Sequence, residues 1–220
     1  MFWDWDYAFD VLPVLAKASI VTIQATLAGF ILALVLGLVF AIMRMSRNRA
    51  VTGATTAVVE FIRSTPLLIQ IFFIYFVLPE FGIVLDAFLA GTLALGIHYA
   101  TYCSEVYRAG IEAIPRGQWE AATALNLSPA TTFKDIIIPQ AIPPVVPALG
   151  NYLVALFKET PLLSAIAVLE LMQTAKILGS QNFRYIEPIT LVGVFFLIFS
   201  LIASAAIRYA ERRLSTIGKR

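Results

Sequence analysis

Charge is scarce in this chain of 220 residues: only 14% of them are Asp, Glu, Lys or Arg. It has one cysteine, Cys103, and one histidine, His98. A lone thiol excludes a disulfide framework, and no Cys-x-x-Cys or His-Glu-x-x-His spacing is present to hold a metal. Cys103 lies inside an apolar run and reads as a small packing residue. No Gly-x-x-x-x-Gly-Lys-[Ser/Thr] loop occurs, so the chain is not expected to bind or hydrolyse ATP itself. An intramembrane enzyme is not expected either, since His98 and Cys103 lie five residues apart with no Gly-x-Ser-x-Gly nearby. A formal net charge of +2 on so apolar a protein argues against a nucleic-acid partner. Basic residues are also missing from the start. Met1-Phe2-Trp3-Asp4-Trp5-Asp6 carries acids where a secretory signal carries Lys or Arg, so the first apolar stretch is expected to be retained.

What the chain has is hydrocarbon, 60% of its residues, in blocks comparable to a bilayer. A helix needs roughly 20 apolar residues to cross about 30 Å. The uncharged stretch 18–43 ends on Arg44, Arg47 and Arg49; a second begins near Val58 and runs through 64–79; a third covers 87–104. After Asp135, the run 136–157 is interrupted by Pro139, Pro143, Pro144 and Pro147. It is expected to be a short amphipathic entry and then a span starting near Pro147. The fifth, 188–207, ends in Arg208, Arg212, Arg213, Lys219 and Arg220. Counting Lys and Arg in the short loops gives an all-α, polytopic membrane protein of five spans, N-terminus outside and C-terminus inside. Lys176 and Arg184, between spans four and five, run against that orientation but are outnumbered. Gly29, Gly37, Gly91 and Gly96 would let spans pack closely. Five helices enclose little volume, so a translocation path would form between two such subunits.

Between spans three and four, Ile114 to Pro129 is too organised for a linker. Pro115 and Gly117 break the exit from span three, and 118–125 are mostly good helix formers. Asn126 suits the left-handed residue that ends a helix, while Ser128-Pro129 suits the N-cap and first position of the next. The loop reads as helix, turn, helix. Spacing alone leaves open whether the first helix docks a partner or only anchors the loop to the membrane.

The run Glu120-Ala121-Ala122, then Asn126 and Leu127, then Phe133, Ile136 and Pro139, resembles the EAA loop of type I ABC importer permeases with the MetI-like fold. That family's pattern is Glu-Ala-Ala, three residues, Gly, and a distal Ile and Pro. Arg63 to Leu68, Tyr102 to Ile111 and Ile114 to Gln118 resemble its polar amino-acid branch, with subunits for ectoine-type compatible solutes as the nearest suggestion. The resemblance covers 18–208, flanked by an external segment 1–17 and a cytoplasmic basic tail 209–220. It implies a bacterial cytoplasmic-membrane subunit working with a cytoplasmic ABC ATPase dimer, a second permease, identical or homologous, and an extracytoplasmic solute-binding protein. The chain would bind membrane lipid and no cofactor, with ATP and Mg held by the ATPase. Within the coupling loop 109–138, Gly117, Glu120, Ala121, Ala122, Asn126 and Leu127 are the ATPase-coupling residues it implies. Glu120 would be the polar contact and the alanines the close-packing face. The family's usual Gly is Asn126 here, the next-best residue for a left-handed cap, so the turn is expected to persist.

Ionisable and polar groups at membrane depth are pathway candidates. His98 could meet a zwitterionic solute or bond a neighbouring helix, and Gln70 is a weaker candidate. Glu105, three residues before Arg108, reads as an ion pair. Lys158-Glu159 precedes Thr160-Pro161 and cannot share one helix face, so either one of them, with Glu159 the pathway candidate, faces the cavity or there is a buried structural ion pair with another helix. Arg63 to Leu68 and Lys158 to Leu163 echo each other over a stretch too short for a repeat. A self-sufficient channel or ion-coupled transporter is the alternative, but it would carry more midplane acids than Glu159.

Overall fold

The computed structural model describes residues 3–217, with side chains through 213. Helices α1 (Trp5–Arg44), α2 (Arg49–Ser64), α3 (Leu67–Phe72), α4 (Ala87–Glu112), α5 (Arg116–Ala124), α6 (Pro129–Thr131), α7 (Ile138–Glu159), α8 (Leu171–Asn182) and α9 (Ile186–Ile217) account for the fold. Among the described residues there is no strand. The all-helical expectation holds.

The core is built on α4, half of whose residues are buried. It packs chiefly on α1, and the glycines set the distance. A Cβ at Gly37 would stand 2.6 Å from the Cβ of Cys103 and 2.9 Å from the Ala100 carbonyl oxygen. A Cβ at Gly96 would meet the Leu32 side chain at 2.6 Å, and one at Gly91 would meet Leu163 at 2.5 Å. Small residues therefore set how closely the helices approach. Cys103 is fully buried and belongs to that seam.

Three helical stretches are long and apolar enough to cross a membrane: Trp5–Arg44, Pro129–Ile166 and Ile186–Arg213. The pair Arg49–Ser64 and Leu67–Phe81 makes a fourth if its 103° bend is taken as one broken span. Helix α4 is 26 residues, long enough at 1.5 Å per residue, but falls outside that set. Its His, Tyr, Thr and Ser face other helices, so burial in protein replaces lipid as the reason it can lie at depth.

The segment 5–17, expected outside the membrane, is helical and continuous with the rest of α1, capped by Asp4 and running through Pro13. Three expectations from the sequence are corrected. Span two is no single rod. Pro66 disfavours helical geometry at Thr65, whose backbone is extended (φ −103°, ψ 137°), and the chain turns there. Prolines do not divide span four: the helix runs unbroken from Pro129 through Pro143, Pro144 and Pro147, with a π-helical turn over Thr132–Ile137 ahead of them. Packing on α4 and α9 holds it despite the hydrogen bonds those rings cannot donate. Finally, α8 fills what looked like a connection around Lys176, and α9 continues through Arg208 into the region expected as a tail.

At the end of the molecule where α1 and α4 stop, Glu105 is a charge node. It accepts from Arg44 at 2.7 Å, Arg63 at 3.3 Å and Arg108 at 2.8 Å, joining α1, α2 and α4. The expected Glu105–Arg108 pair is present within this larger network. At the opposite end Glu187, buried on α9, accepts the Asp4 amide at 3.0 Å and pairs with Arg184.

Candidate coupling loop and polar path

Helix α5 is fixed to its own chain before any partner is considered. Trp119 meets Phe133 edge to face with ring centroids 5.2 Å apart, and Gln118 accepts from Gln140 at 3.1 Å. Beneath them Ile114, Ile137 and Ala141 form a small buried cluster. The turn behind the helix is built as its sequence required. Asn126 adopts φ 53°, Leu127 N–H donates to Ala122 O at 3.0 Å, and Asn126 N–H donates to Thr123 O at 2.9 Å, which is a Schellman cap. Ser128 then caps the next helix by accepting from Thr131 N–H at 3.1 Å, with Pro129 in its first turn.

The exposed face is narrower than the sequence suggested. Glu120 and Ala121 face outward, whereas Ala122 is 1% exposed and packs into its own chain, so it cannot offer a surface. Leu125 adds one exposed apolar side chain, and Leu127 is half-buried. Gly117 is no breaker: it lies in the first turn of α5, and a Cβ there would meet nothing within 4 Å. Pro115 alone marks the discontinuity.

The three polar-path candidates converge on one face of α4. His98 Nδ1 lies 3.2 Å from Gln70 Oε1, so the histidine bonds a neighbouring helix. The Gln70 amide nitrogen is spent on the break before α3, donating to Ile62 O at 2.7 Å, Thr65 O at 3.0 Å and Thr65 Oγ1 at 2.7 Å. Glu159 reaches the group through Tyr99, whose ring lies 5.7 Å from that of His98 and whose hydroxyl neighbours the Glu159 carboxylate. Lys158 is exposed and forms no ion pair with Glu159 or any other described residue. Glu159 Oε2 is buried without a hydrogen-bond partner among the described residues.

Sequence reasoning missed the aromatic side chains between these groups. Tyr102 stacks near His98 at 5.4 Å and Tyr152 at 5.4 Å, and the Arg63 guanidinium sits 5.2 Å over the Tyr102 ring. The spacing of Tyr99 and Tyr102, three residues apart on a helix, was the available signal. The echo between Arg63 to Leu68 and Lys158 to Leu163 acquires a structural meaning here. Both Thr-Pro pairs end a helix, and each threonine hydroxyl donates to the carbonyl three residues back, Thr65 to Ile62 at 3.0 Å and Thr160 to Phe157 at 2.7 Å. One break sets Arg63 on Tyr102, and the other sets Glu159 beside Tyr99.

Comparison with known proteins agrees with this architecture. Residues 11–216 match the family described as binding-protein-dependent transport system inner membrane component. The probable amino-acid ABC transporter permease protein y4tG of Sinorhizobium fredii is 50% identical over 212 residues, 96% of this chain and 92% of that protein. The L-cystine transport system permease protein TcyB of Bacillus subtilis is 35% identical, over 92% of this chain and 87% of its own length. Among solved structures, an amino acid ABC transporter crystallised with histidines superposes with a TM-score of 0.92 at 35% identity, covering 97% of this chain and all of that one. The MetNI methionine ABC transporter, at 21% identity and a TM-score of 0.74, shares the fold.

Proposed function

This chain belongs to the binding-protein-dependent transport system inner membrane component family, and from that membership we propose that it is the permease subunit of an ATP-driven importer of a zwitterionic amino acid. It is a multi-pass inner-membrane protein and a transport subunit. Five spans with the N-terminus outside and the C-terminus inside put α5 on the ATPase side, in keeping with Arg44, Arg47 and Arg49 and the basic C-terminal end. Hydrolysis of ATP with its Mg would occur on a partner ATPase dimer, and a second permease would complete the path. An extracytoplasmic binding protein would deliver the solute.

The observation that carries the coupling role is the geometry of α5: Glu120 and Ala121 are exposed on a helix whose other face is locked by Trp119 and Gln118 to the helix beginning at Pro129. A push received on the exposed face would be passed to α7 without first being absorbed in a loose loop. Glu120→Lys reverses the charge on that face and leaves the buried contacts alone. Uptake by the reconstituted complex should fall at least tenfold while the variant still folds. Normal uptake would sink the docking role.

The polar path favours an amino acid. The Arg63 guanidinium over Tyr102, which shares Glu105 with Arg44 and Arg108, and the Glu159 carboxylate beside Tyr99 put opposite charges at one aromatic cluster, in keeping with the two ends of a zwitterion. The relatives named for amino acids point the same way. An ectoine-like solute carries the same pair of charges and remains the second reading. A panel of polar amino acids and compatible solutes, each with binding protein, decides between them by stimulation of ATP turnover. Absence of stimulation by any of them would sink the importer reading as a whole.

A further inference from the structure

Near the charge node, the ends of α1, α2, α4 and α7 leave a crevice of about 840 Å³. Its walls are mostly hydrocarbon, including Leu38, Met43, Ile111, Ile138 and Val145, with Ser46 and Tyr107 the polar members. Water in such a crevice would find few polar partners in its walls, so an apolar occupant is favoured there. The chain beside it is basic in a particular way. Arg44, Arg63 and Arg108 at the same end are all taken up by Glu105. Arg47, Arg49 and Lys134 are exposed and have no carboxylate partner among the described residues. Each is one or two residues from a wall residue: Arg47 follows Ser46, Arg49 precedes Val51 by two, and Lys134 follows Phe133. Hydrocarbon walls with unspent cations at the rim match the two halves of one molecule, an acyl chain and an anionic headgroup.

We propose that this crevice is a binding site for an anionic phospholipid, with an acyl chain between α1, α4 and α7 and its headgroup against Arg47, Arg49 and Lys134. The inference rests on the orientation proposed above, which puts these cations in the cytoplasmic leaflet. An occupying lipid would fill the space beside Phe133, the ring on which α5 is seated, and so would stiffen that seat.

The test is photo-crosslinking of the full chain in its native membrane, with phosphatidylglycerol and phosphatidylcholine carrying a diazirine in the acyl chain, followed by peptide mapping. Ile31 and Val35, exposed on the middle of α1, report ordinary bilayer contact. Labelling at Met43 and Ile138 to Ile142 should favour phosphatidylglycerol by on the order of a hundredfold over the ratio at Ile31, three cations contributing roughly fivefold each. Each of Arg47→Gln, Arg49→Gln and Lys134→Gln should cut that preference roughly fivefold, as for single cations near an anionic surface. Equal labelling by the two lipids at the crevice means ordinary bilayer contact and overturns the site. Labelling at Ile31 with none at the crevice means that protein, such as a second copy of this chain, covers it, and overturns it too. Orientation is read separately. Reaction of Arg47→Cys with an impermeant thiol reagent from outside would reject the orientation, whatever lipid the crevice holds.

Discussion

Gly37 and Cys103 touch where α1 crosses α4, so closely that a Cβ on the glycine would lie 2.6 Å from that of the cysteine. Neither partner is a flexible side-chain tip, and the Ala100 carbonyl closes the space at 2.9 Å. Relief therefore requires the two helices to separate. Gly37→Ala should cost about 1–3 kcal/mol, the usual penalty for overpacking. Gly53→Ala, on α2 with nothing within 4 Å, should be neutral or slightly stabilising. Thermal melting of the detergent-purified protein compares them, and equal midpoints would show that the α1–α4 seam is looser than described.

Gln70 holds the bend at Thr65-Pro66 through its amide group, whose two hydrogens are shared among Ile62 O, Thr65 O and Thr65 Oγ1, while its carbonyl oxygen meets His98. Gln70→Leu keeps the size and removes every one of these hydrogen bonds. Spin labels at Gly53→Cys and Ile83→Cys should then report a broader distance distribution across the break. An unchanged, narrow distribution would assign the bend to Pro66 alone.

Glu170 lies in the connection before α8, fully buried, and its carboxylate oxygens accept from Met172 and Gln173 N–H. Burial pushes its pKa up to about 7, against the pull of those hydrogen bonds and of Lys176. The folded protein thus holds this proton where the unfolded chain has released it, between the ordinary carboxylate range and pH 7. Stability from this group is full below that window and declines as pH rises through it. The melting temperature should fall from about pH 5 to pH 8 in the wild type, with a shallower fall in Glu170→Gln. Parallel curves would remove Glu170 from the account.

At Asn126 the left-handed backbone costs an asparagine little and a β-branched residue more. Asn126→Gly should leave uptake unchanged. Asn126→Val should lose about 1–2 kcal/mol and weaken coupling, because the Schellman bonds to Ala122 and Thr123 depend on that φ. Melting together with uptake by the reconstituted complex separates the two effects. A fully active valine variant would show the turn to be dispensable.

The parts legible in the sequence were those governed by local rules. Asn126, Ser128 and Pro129 announce a cap and a start through backbone chemistry that operates over four residues. Gly37, Gly91 and Gly96 announce close packing by lacking a side chain. The break at Thr65-Pro66 was also written locally, but a long apolar run concealed it. Pro143, Pro144 and Pro147 misled because intrinsic propensity lost to packing on α4 and α9. Helix α8 was missed because its buried residues, Leu171, Ala175 and Gly179, form a thin stripe within a polar segment. The tyrosines of the polar path became visible only once α3 and α7 were set against α4.

The unbroken helix from Pro129 has a mechanical consequence. At 1.5 Å per residue, the stretch to Glu159 is a lever arm of about 45 Å, with Phe133 near one end and Tyr152 and Glu159 near the other. Under the proposed coupling, a tilt applied at Phe133 would arrive at Glu159 as a swing whose size depends on where α4 and α9 supply the fulcrum. The π-helical turn would give that arm compliance beside Phe133 and the three internal prolines would give it compliance near its middle, smoothing the stroke before it reached the carboxylate.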